Sequence, residues 1–379
     1  MNAIDYIVNN GIYTFEQKPF NDVDNTLMCQ LSYPDWREII GSKPVRLQQA
    51  AEQYFLRFNE EVIGDSGKDS DDRLALSLMA NSRRFGDMLL MDYVNDRDWE
   101  NEKQFGAITI QIVKGLYYVA FEGTDMMLYS WKEDFNMAYM LPVPSQKQAL
   151  EYLNGQLRKL KGDFMVGGHS KGGNLAVYAA VESGSDRIIW VYNNDGPGFA
   201  ASFTERPEYQ RMLNRMITYL PSSSVIGTLM CSDIHRAIVQ SEGQGLVQQH
   251  DFLSWKSRGG SFVKAESFSD FSRFIYESMN GWFRDLSMEE KVVFINTAYD
   301  TMKELGFTSV SDVDRKKAEF LVRLVKKVMN YDKGTKSLMA QTLVSLIKNS
   351  GMSFVNAFFL LRLNHVMQSA GDDKKEIKE

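Results

Sequence analysis

From residue 105 to 240, apolar residues fall in short runs separated by amphipathic stretches. Phe105 to Val113 (FGAITIQIV) alternates with a period of two, Lys114-Gly115 is a turn signal, and Leu116 to Phe121 (LYYVAF) is a second strand, so the pair predicts an antiparallel hairpin. Ser145 to Leu160 carries Leu150, Leu153, Leu157 and Leu160 on one side and predicts a helix. Asp163 to Val166 is a short strand, and Asn174 to Val181 is a helical run. Arg187 to Asn193 (RIIWVYN) is an apolar run suited to a strand buried on both faces. Pro207 to Asn214 predicts a helix, and Met216 to Leu220 and Arg236 to Gln240 two more strands. Strand alternating with helix over this length means α/β with a mainly parallel sheet.

The flanks differ. The first 60 residues show no long period and read as irregular, with short amphipathic pieces such as Leu27 to Leu31. Asp71 to Tyr93 carries Leu74, Leu78, Phe85, Leu89 and Tyr93 at mostly helical spacing and predicts one or two helices. Beyond residue 265 the strand signals stop. Met288 to Leu305, Asp314 to Met329, Thr335 to Lys348 and Ser353 to Met367 predict helices, several with Ser, Asp or Thr caps. The expected layout is an α/β domain over 1–265 (irregular or helical to 100, sheet core over 101–265). A helical C-terminal domain over 266–370 and a solvated tail over 371–379 follow.

Composition narrows the class. Hydrophobic residues make 44% of the 379, and 43 basic against 49 acidic side chains leave a net charge of −6, which argues against a nucleic-acid binder. The two cysteines, Cys29 and Cys231, form no C-x-x-C, so neither a disulfide framework nor a cysteine-based zinc site is expected. The start, MNAIDYIVNNG, lacks a secretory signal. The most apolar late stretch, Ser353 to Leu361, falls short of the roughly 20 residues a membrane span needs. A soluble, cytoplasmic, reduced protein is the expectation.

The chemistry centres on Gly168-His169-Ser170-Lys171-Gly172, a G-x-S-x-G with an apolar strand before it and a helix directly after it. A strand-to-helix turn that sharp strains the serine and lifts its hydroxyl clear of the sheet, while the glycines avoid collision with neighbouring backbone. The helix N-terminus adds free N–H groups and a positive partial charge for an oxyanion. The bland alternative is a glycine-rich βα turn, with phosphate as its ligand; G-x-x-x-x-G-K-[ST] is absent.

GGHSKGGNLA, with the upstream strand ending Ala120-Phe121-Glu122-Gly123-Thr124, resembles the class-3-lipase-like α/β-hydrolases. Four separated motifs together resemble a bacterial family of Mbeg-type proteins of unknown function. They are Phe20-Asn21-Asp22-Val23-Asp24, the GGHSKGGNLA turn, Asn194 to Phe199 (NDGPGF) and Gln249 to Trp255 (QHDFLSW). The resemblance covers about residues 15 to 260 and implies the α/β-hydrolase fold.

A serine nucleophile needs a base, which in this fold is a histidine after the last strand. His250 lies there, inside the family motif; His235 is the runner-up, and His365 reads as structural. His169 is expected to shape the elbow. Asp195 follows the strand after the nucleophile helix, so the order Ser170, Asp195, His250 fits. Many relatives carry their acid one strand later, where this chain reads Pro221-Ser222-Ser223-Ser224, so Asp233, or a dyad oriented by backbone or serine, also stays open. The plainer alternative for Asp195 is an Asx-turn residue that holds its loop.

The oxyanion donors are expected from the Lys171 N–H and from the N–H of Thr124 or Asp125, in the lipase-like turn Gly123-Thr124-Asp125. The Asp125 carboxylate is expected to point away. Trp131 and Asp134 read as structural. Gly123, His169, Met126 and Met127 are the expected substrate contacts. Met126, Met127, Met137 and Met140 are either an acyl-binding wall or core filler. Arg315 to Lys336 carries eight basic side chains against Glu319 and Asp332, a solvated face or a contact for anionic lipid headgroups. The expectation is a serine hydrolase of lipase or esterase type acting on a small-molecule or lipid ester, needing no metal or organic cofactor. Thioesters and amides stay open as substrates. The alternative is a catalytically weak hydrolase-fold protein that binds a protein or membrane through its C-terminal helices. Oligomeric state is not legible.

Overall fold

The computed structural model describes residues 1–58, 67–98, 100–125, 127–230, 236–270 and 287–308, with positions 272, 273, 276, 277, 280, 323 and 327. The chain divides into two compact units, Met1–Asn280 and Gly281–Glu379.

The first unit is built on an eight-stranded sheet whose spatial order is its chain order, β1 to β8. β1 (Val45–Arg46), β2 (Leu89–Asp98), β3 (Lys103–Val113) and β4 (Leu116–Phe121) pair antiparallel. β4, β5 (Asp163–His169), β6 (Ile188–Asn194), β7 (Met216–Pro221) and β8 (Arg236–Val239) pair parallel. The small hairpin β9 (Ser257–Arg258) and β10 (Ser261–Phe262) follows.

This order decides where the helices go. Four helices precede the parallel part: α1 (Ala3–Asn10), α2 (Asp22–Gln30), α3 (Leu47–Arg57) and α4 (Gly67–Ala80). α5 (Leu128–Asn136) and α6 (Pro144–Lys159) link β4 to β5, and α7 (Lys171–Ser183) links β5 to β6. The short α8 (Ala201–Thr204) and α9 (Pro207–Met212) link β6 to β7, and α10 (Gly245–His250) follows β8. Right-handed crossovers that always advance to the next position put their helices on one face. That face holds Tyr117, Val119, Phe121, Phe164, Val166 and Val191 against Leu153, Leu175 and Tyr209. The other face must be covered by a different part of the chain. There Tyr118, Ala120, Met165, Tyr192 and Tyr219 pack against Tyr6, Leu27, Met28 and Leu76 of the N-terminal helices. Period-two alternation on β4 and β5 thus feeds two cores. Five parallel strands, an antiparallel edge and an elbow serine make this an α/β-hydrolase fold.

Three sequence expectations need correction. Three helices, α1, α2 and α3, form within residues 1–58, and Asn2 and Asn21 close capping boxes on the first two. α2 (DVDNTLMCQ) gives a weak period because half of its buried residues are polar: Asp24, Asn25, Thr26 and Gln30. The helical spacing of Leu89 and Tyr93 misleads, because both lie in β2. A register shift between Met91 and Val94, with Asp92 at φ 53°, breaks the alternation that would have marked it. Trp190 of β6 is 38% exposed, so that strand is not buried throughout on both faces.

In the second unit, a helix runs over Met288–Glu304 with Ser287 closing a capping box on Glu290. The three later predicted helices and the tail lie outside the described residues, apart from positions 323 and 327. Among the described residues no helix is long and apolar enough to cross a membrane.

Candidate active site

The carboxyl ends of β4 to β7 carry the candidate residues, at the edge where open α/β sheets bind ligands. Ser170 follows β5 and is the N-cap of α7, with φ 55° and ψ −129°. A non-glycine residue there is strained by about 1–3 kcal/mol. The strain is imposed by packing: a Cβ on Gly168 would sit 2.2 Å from the Gly172 carbonyl carbon, and one on Gly172 2.2 Å from the Phe121 carbonyl oxygen. The Ser170 N–H donates to the Asn194 carbonyl at 2.9 Å, which ties the elbow to the end of β6. Asn194 is held in turn. Its side-chain amide donates to the Gly168 carbonyl (3.1 Å) and accepts from the Asn25 amide of α2 (2.8 Å). The Phe20–Asp24 motif starts the helix that carries Asn25. Asn21 caps α2, and Asp24 is buried in an ion pair with Arg84.

Asp195 directly follows β6, at φ 53° and fully buried. Its Oδ2 lies 2.6 Å from Nδ1 of His250, and its Oδ1 accepts a hydrogen bond from the Ser224 hydroxyl. Burial pushes the Asp195 carboxyl upward; His250, Ser224 and the Gly227 N–H oppose this. So the loop at 221–224, which lacks a carboxylate, supplies a serine that braces the acid from the previous strand. Sequence reasoning missed Ser224, although that loop was the place to look.

His250 ends α10 with its side chain 27% exposed. The QHDFLSW motif holds it. Gln249 Oε1 accepts from the Ser223 N–H (3.1 Å), and the Trp255 indole donates to the Gln249 carbonyl (2.8 Å). Asp251 accepts from the Leu253 N–H (3.0 Å), and Phe252 stands edge-on to His169 at 4.8 Å between centroids. His169, the residue before the candidate nucleophile, is buried, and its ring centroid lies 4.4 Å from that of His250. Its Nε2 lies 2.8 Å from the His250 carbonyl oxygen and its Nδ1 2.9 Å from the Tyr33 hydroxyl. A carbonyl only accepts, so Nε2 carries a proton. Burial holds Tyr33 well above its ordinary pKa, so its hydroxyl keeps its proton and donates to Nδ1 of the neutral imidazole. Nothing in the sequence marked Tyr33. Among the described residues no hydrogen bond joins Ser170 Oγ to His250.

The Gly123-Thr124-Asp125 turn presses on the elbow. A Cβ on Gly123 would meet the Tyr33 hydroxyl at 2.5 Å, the His169 carbonyl at 2.6 Å and Ser170 Cβ at 3.3 Å. Asp125 turns its carboxylate to the Met127 N–H (3.0 Å) and to Arg97 (3.4 Å). Arg97 also pairs with buried Glu122 at 2.9 Å. Trp131 Nε1 donates to the Asp125 carbonyl at 3.1 Å.

The Lys171 side chain is buried and reaches back under the turn. Its ammonium donates to the Gln104 carbonyl (2.8 Å), Gln104 Oε1 (2.5 Å) and Glu133 Oε2 (3.1 Å). Gln104 Nε2 donates to the Gly123 carbonyl (2.9 Å), and Glu133 also accepts the N–H of Gln104 (3.1 Å) and of Ser145 (2.8 Å). This buried hub locks β3, the turn, α5, the start of α6 and the elbow together. With its backbone N–H in the first turn of α7, Lys171 contributes at both ends.

Of the methionines, Met137 is core on the α6 side, Met127 is half-buried and Met140 is 39% exposed. Met126, His235, Asp233, Cys231 and His365 lie outside the described residues. Among the described residues no group of His, Cys, Asp or Glu side chains could hold a metal ion.

The strand order and the site define an α/β-hydrolase fold with an elbow serine and a histidine–aspartate pair at one sheet edge. The Mbeg1-like family matches residues 79–300, more than half of the chain, and the chain belongs to that family. No curated protein matches the sequence. Two solved structures share distant likeness. One is a fungal lipase–inhibitor complex, 12% identical over 45% of this chain and 68% of that one, with a TM-score of 0.30. The other is M37 lipase, 16% identical over 54% and 68%, with a TM-score of 0.34.

Proposed function

We propose that this chain is a serine hydrolase of lipase or esterase type that cleaves a carboxylic ester through an acyl-enzyme on Ser170. The observation that carries this reading is the His250–Asp195 hydrogen bond at the sheet edge where Ser170 is strained outward. With Asp195 on Nδ1, the neutral imidazole presents Nε2 as a base. Nε2 takes the Ser170 proton as Oγ attacks the ester carbonyl. It then gives that proton to the leaving alcohol. A water, activated by the same nitrogen, releases the acid. The Lys171 N–H and the 123–125 turn, through the N–H of Thr124 or Asp125, receive the oxyanion. Gly123, His169, Met126 and Met127 are the proposed substrate contacts. No step needs a metal or organic cofactor.

A catalytically silent interaction module draws its support from the lack of a carboxylate at 221–224. The Asp195–His250 and Asp195–Ser224 bonds favour the hydrolase reading over it. The test is hydrolysis of nitrophenyl esters from acetyl to palmitoyl by wild type and by Ser170→Ala. Turnover lost in the variant is expected, and the chain-length profile separates esterase from lipase. Equal turnover by both proteins overturns the assignment of Ser170.

A further inference from the structure

The two residues of the site with strained backbones meet at one asparagine. Ser170 (φ 55°) and Asp195 (φ 53°) both have positive φ. The first donates its N–H to the Asn194 carbonyl at 2.9 Å, and the second follows Asn194 in the chain. The Asn194 side chain adds a third hold, from Nδ2 to the Gly168 carbonyl at 3.1 Å. Strained backbone persists only where its surroundings over-determine it. What fixes the Asn194 carboxamide therefore bears on nucleophile and acid together.

That carboxamide is fixed from α2. Asn25 Nδ2 donates to Asn194 Oδ1 at 2.8 Å, and Asn194 Nδ2 donates back to Asn25 Oδ1 at 3.2 Å. The two amides form a closed, reciprocal pair, and both residues are fully buried. Its orientation is forced. The Gly168 carbonyl can only accept, so Asn194 must turn its NH2 group to the elbow, and Asn25 must then turn its oxygen to that NH2 group. Asn25 Oδ1 takes a further bond from the Tyr118 hydroxyl of β4 at 2.7 Å, and Asn194 Nδ2 also lies 3.4 Å from Cys29 Sγ. A turned Asn194 amide would set oxygen against oxygen at Gly168 and NH2 against NH2 at Asn25.

We infer that Asn25 is a positioning residue for the hydrolase site: through its reciprocal amide pair with Asn194 it holds Ser170 and Asp195 in the backbone geometry that the reaction needs. The inference rests on the serine hydrolase reading above and deepens it. It makes α2, from the N-terminal part of the chain, a working part of the site, although Asn25 acts only through Asn194.

The chemistry of the pair says which replacement preserves it. A protonated carboxyl offers the same donor and acceptor as a carboxamide, whereas an ionised one offers no donor. Burial raises a carboxyl. Cys29 of α2 and Tyr118 of β4 touch the pair, and Tyr192 of β6 stacks on Tyr118; burial keeps all three neutral. Asp24, the preceding residue, is bound by Arg84. Asn25→Asp is therefore carboxamide-like at low pH, and at high pH it leaves Asn194 Oδ1 without its donor.

The test is the rate of Ser170 labelling by a fluorophosphonate at pH 6 and pH 9. Each variant's rate is divided by that of wild type at the same pH, so that the titration of His250 cancels. Asn25→Leu, close in volume, should label at least about tenfold more slowly at both pH values, since a misplacement of about 1 Å can cost about 100-fold. Asn25→Asp should stay within about threefold of wild type at pH 6 and fall toward Asn25→Leu at pH 9. Tyr118→Phe removes a buried hydrogen bond from the same cluster and leaves the pair closed. It should unfold at lower urea than wild type, yet label within about twofold of it. Asn25→Leu at the wild-type rate, Asn25→Asp as slow as Asn25→Leu at pH 6, or Tyr118→Phe as slow as Asn25→Leu overturns the inference and leaves the hydrolase reading standing. If Asn25→Leu does not fold, Asn25→Asp decides alone, and a ratio that does not fall from pH 6 to pH 9 overturns it. Folded wild type that does not label overturns the hydrolase reading, and this inference with it.

Discussion

Nε2 of His169 donates to the carbonyl oxygen of His250 at 2.8 Å, so the residue before the candidate nucleophile holds the backbone of the candidate base. The elbow and the end of α10 lie 81 residues apart in sequence and are joined here by one imidazole. Tyr33 fixes the tautomer from the other side at 2.9 Å. Replacement by leucine keeps the bulk and removes both bonds. His169→Leu should lower the Ser170 labelling rate at least tenfold while leaving the fold intact. It should cost about 1–3 kcal/mol of stability for the partners left bare. Parallel labelling rates and urea melts check this.

The Asp195 carboxylate has two side-chain partners that can be removed separately. Asp195→Asn keeps the volume but gives His250 the wrong hydrogen-bond partner, and should lower kcat by about 10³- to 10⁴-fold. Ser224→Ala leaves Asp195 ionisable with one donor fewer. Its carboxyl should rise further, so activity should fail at a higher pH on the acid side than in wild type. A pH–rate profile of the two proteins decides this.

Gly123 has no room for a side chain. Gly123→Ala drives a methyl to 2.5 Å from the Tyr33 hydroxyl and 2.6 Å from the His169 carbonyl. The turn and the elbow must separate. The expected result is a loss of about 1–3 kcal/mol in urea unfolding together with slower labelling of Ser170.

Glu122 gives a stability signature. Burial raises its carboxyl to about 7 against the pull of Arg97. A group that holds its proton more tightly when folded stabilises the fold fully below its unfolded pKa, and that stability is lost as pH rises through the folded value. Wild type minus Glu122→Gln in unfolding free energy should therefore fall by roughly 3 kcal/mol between pH 4.5 and 7.5. Asp134 titrates in the same range in both proteins and cancels. Urea unfolding at four pH values checks the sign.

The legible parts of this chain were those whose burial is apolar. β3 to β8 announce themselves through alternation or continuous apolar runs, and the elbow through glycines that no other residue could replace. Only the Leu27 to Leu31 end of α2 shows in the pattern, because the helix also buries Asp24 and Asn25, whose partners Arg84 and Asn194 lie far away in sequence, and Thr26, which bonds the Val23 carbonyl. β2 was misread because a bulge at Asp92 hides its period. In the site, Ser170, Asp195 and His250 could be ordered from one motif each. Tyr33 and Ser224 could not, because each matters only through a contact that the tertiary fold creates. The buried Lys171 ammonium is the clearest case. A lysine beside a nucleophile invites an exposed reading, and only the carboxylate of Glu133 across the sheet end explains its burial.

The most direct measurement is peptide-mapped labelling of the purified protein by a fluorophosphonate, alongside Ser170→Ala and His250→Ala. The account predicts one adduct, on Ser170, absent from Ser170→Ala and slowed at least 100-fold in His250→Ala. Folded wild type that carries no adduct, or an adduct on another residue that survives Ser170→Ala, would contradict it.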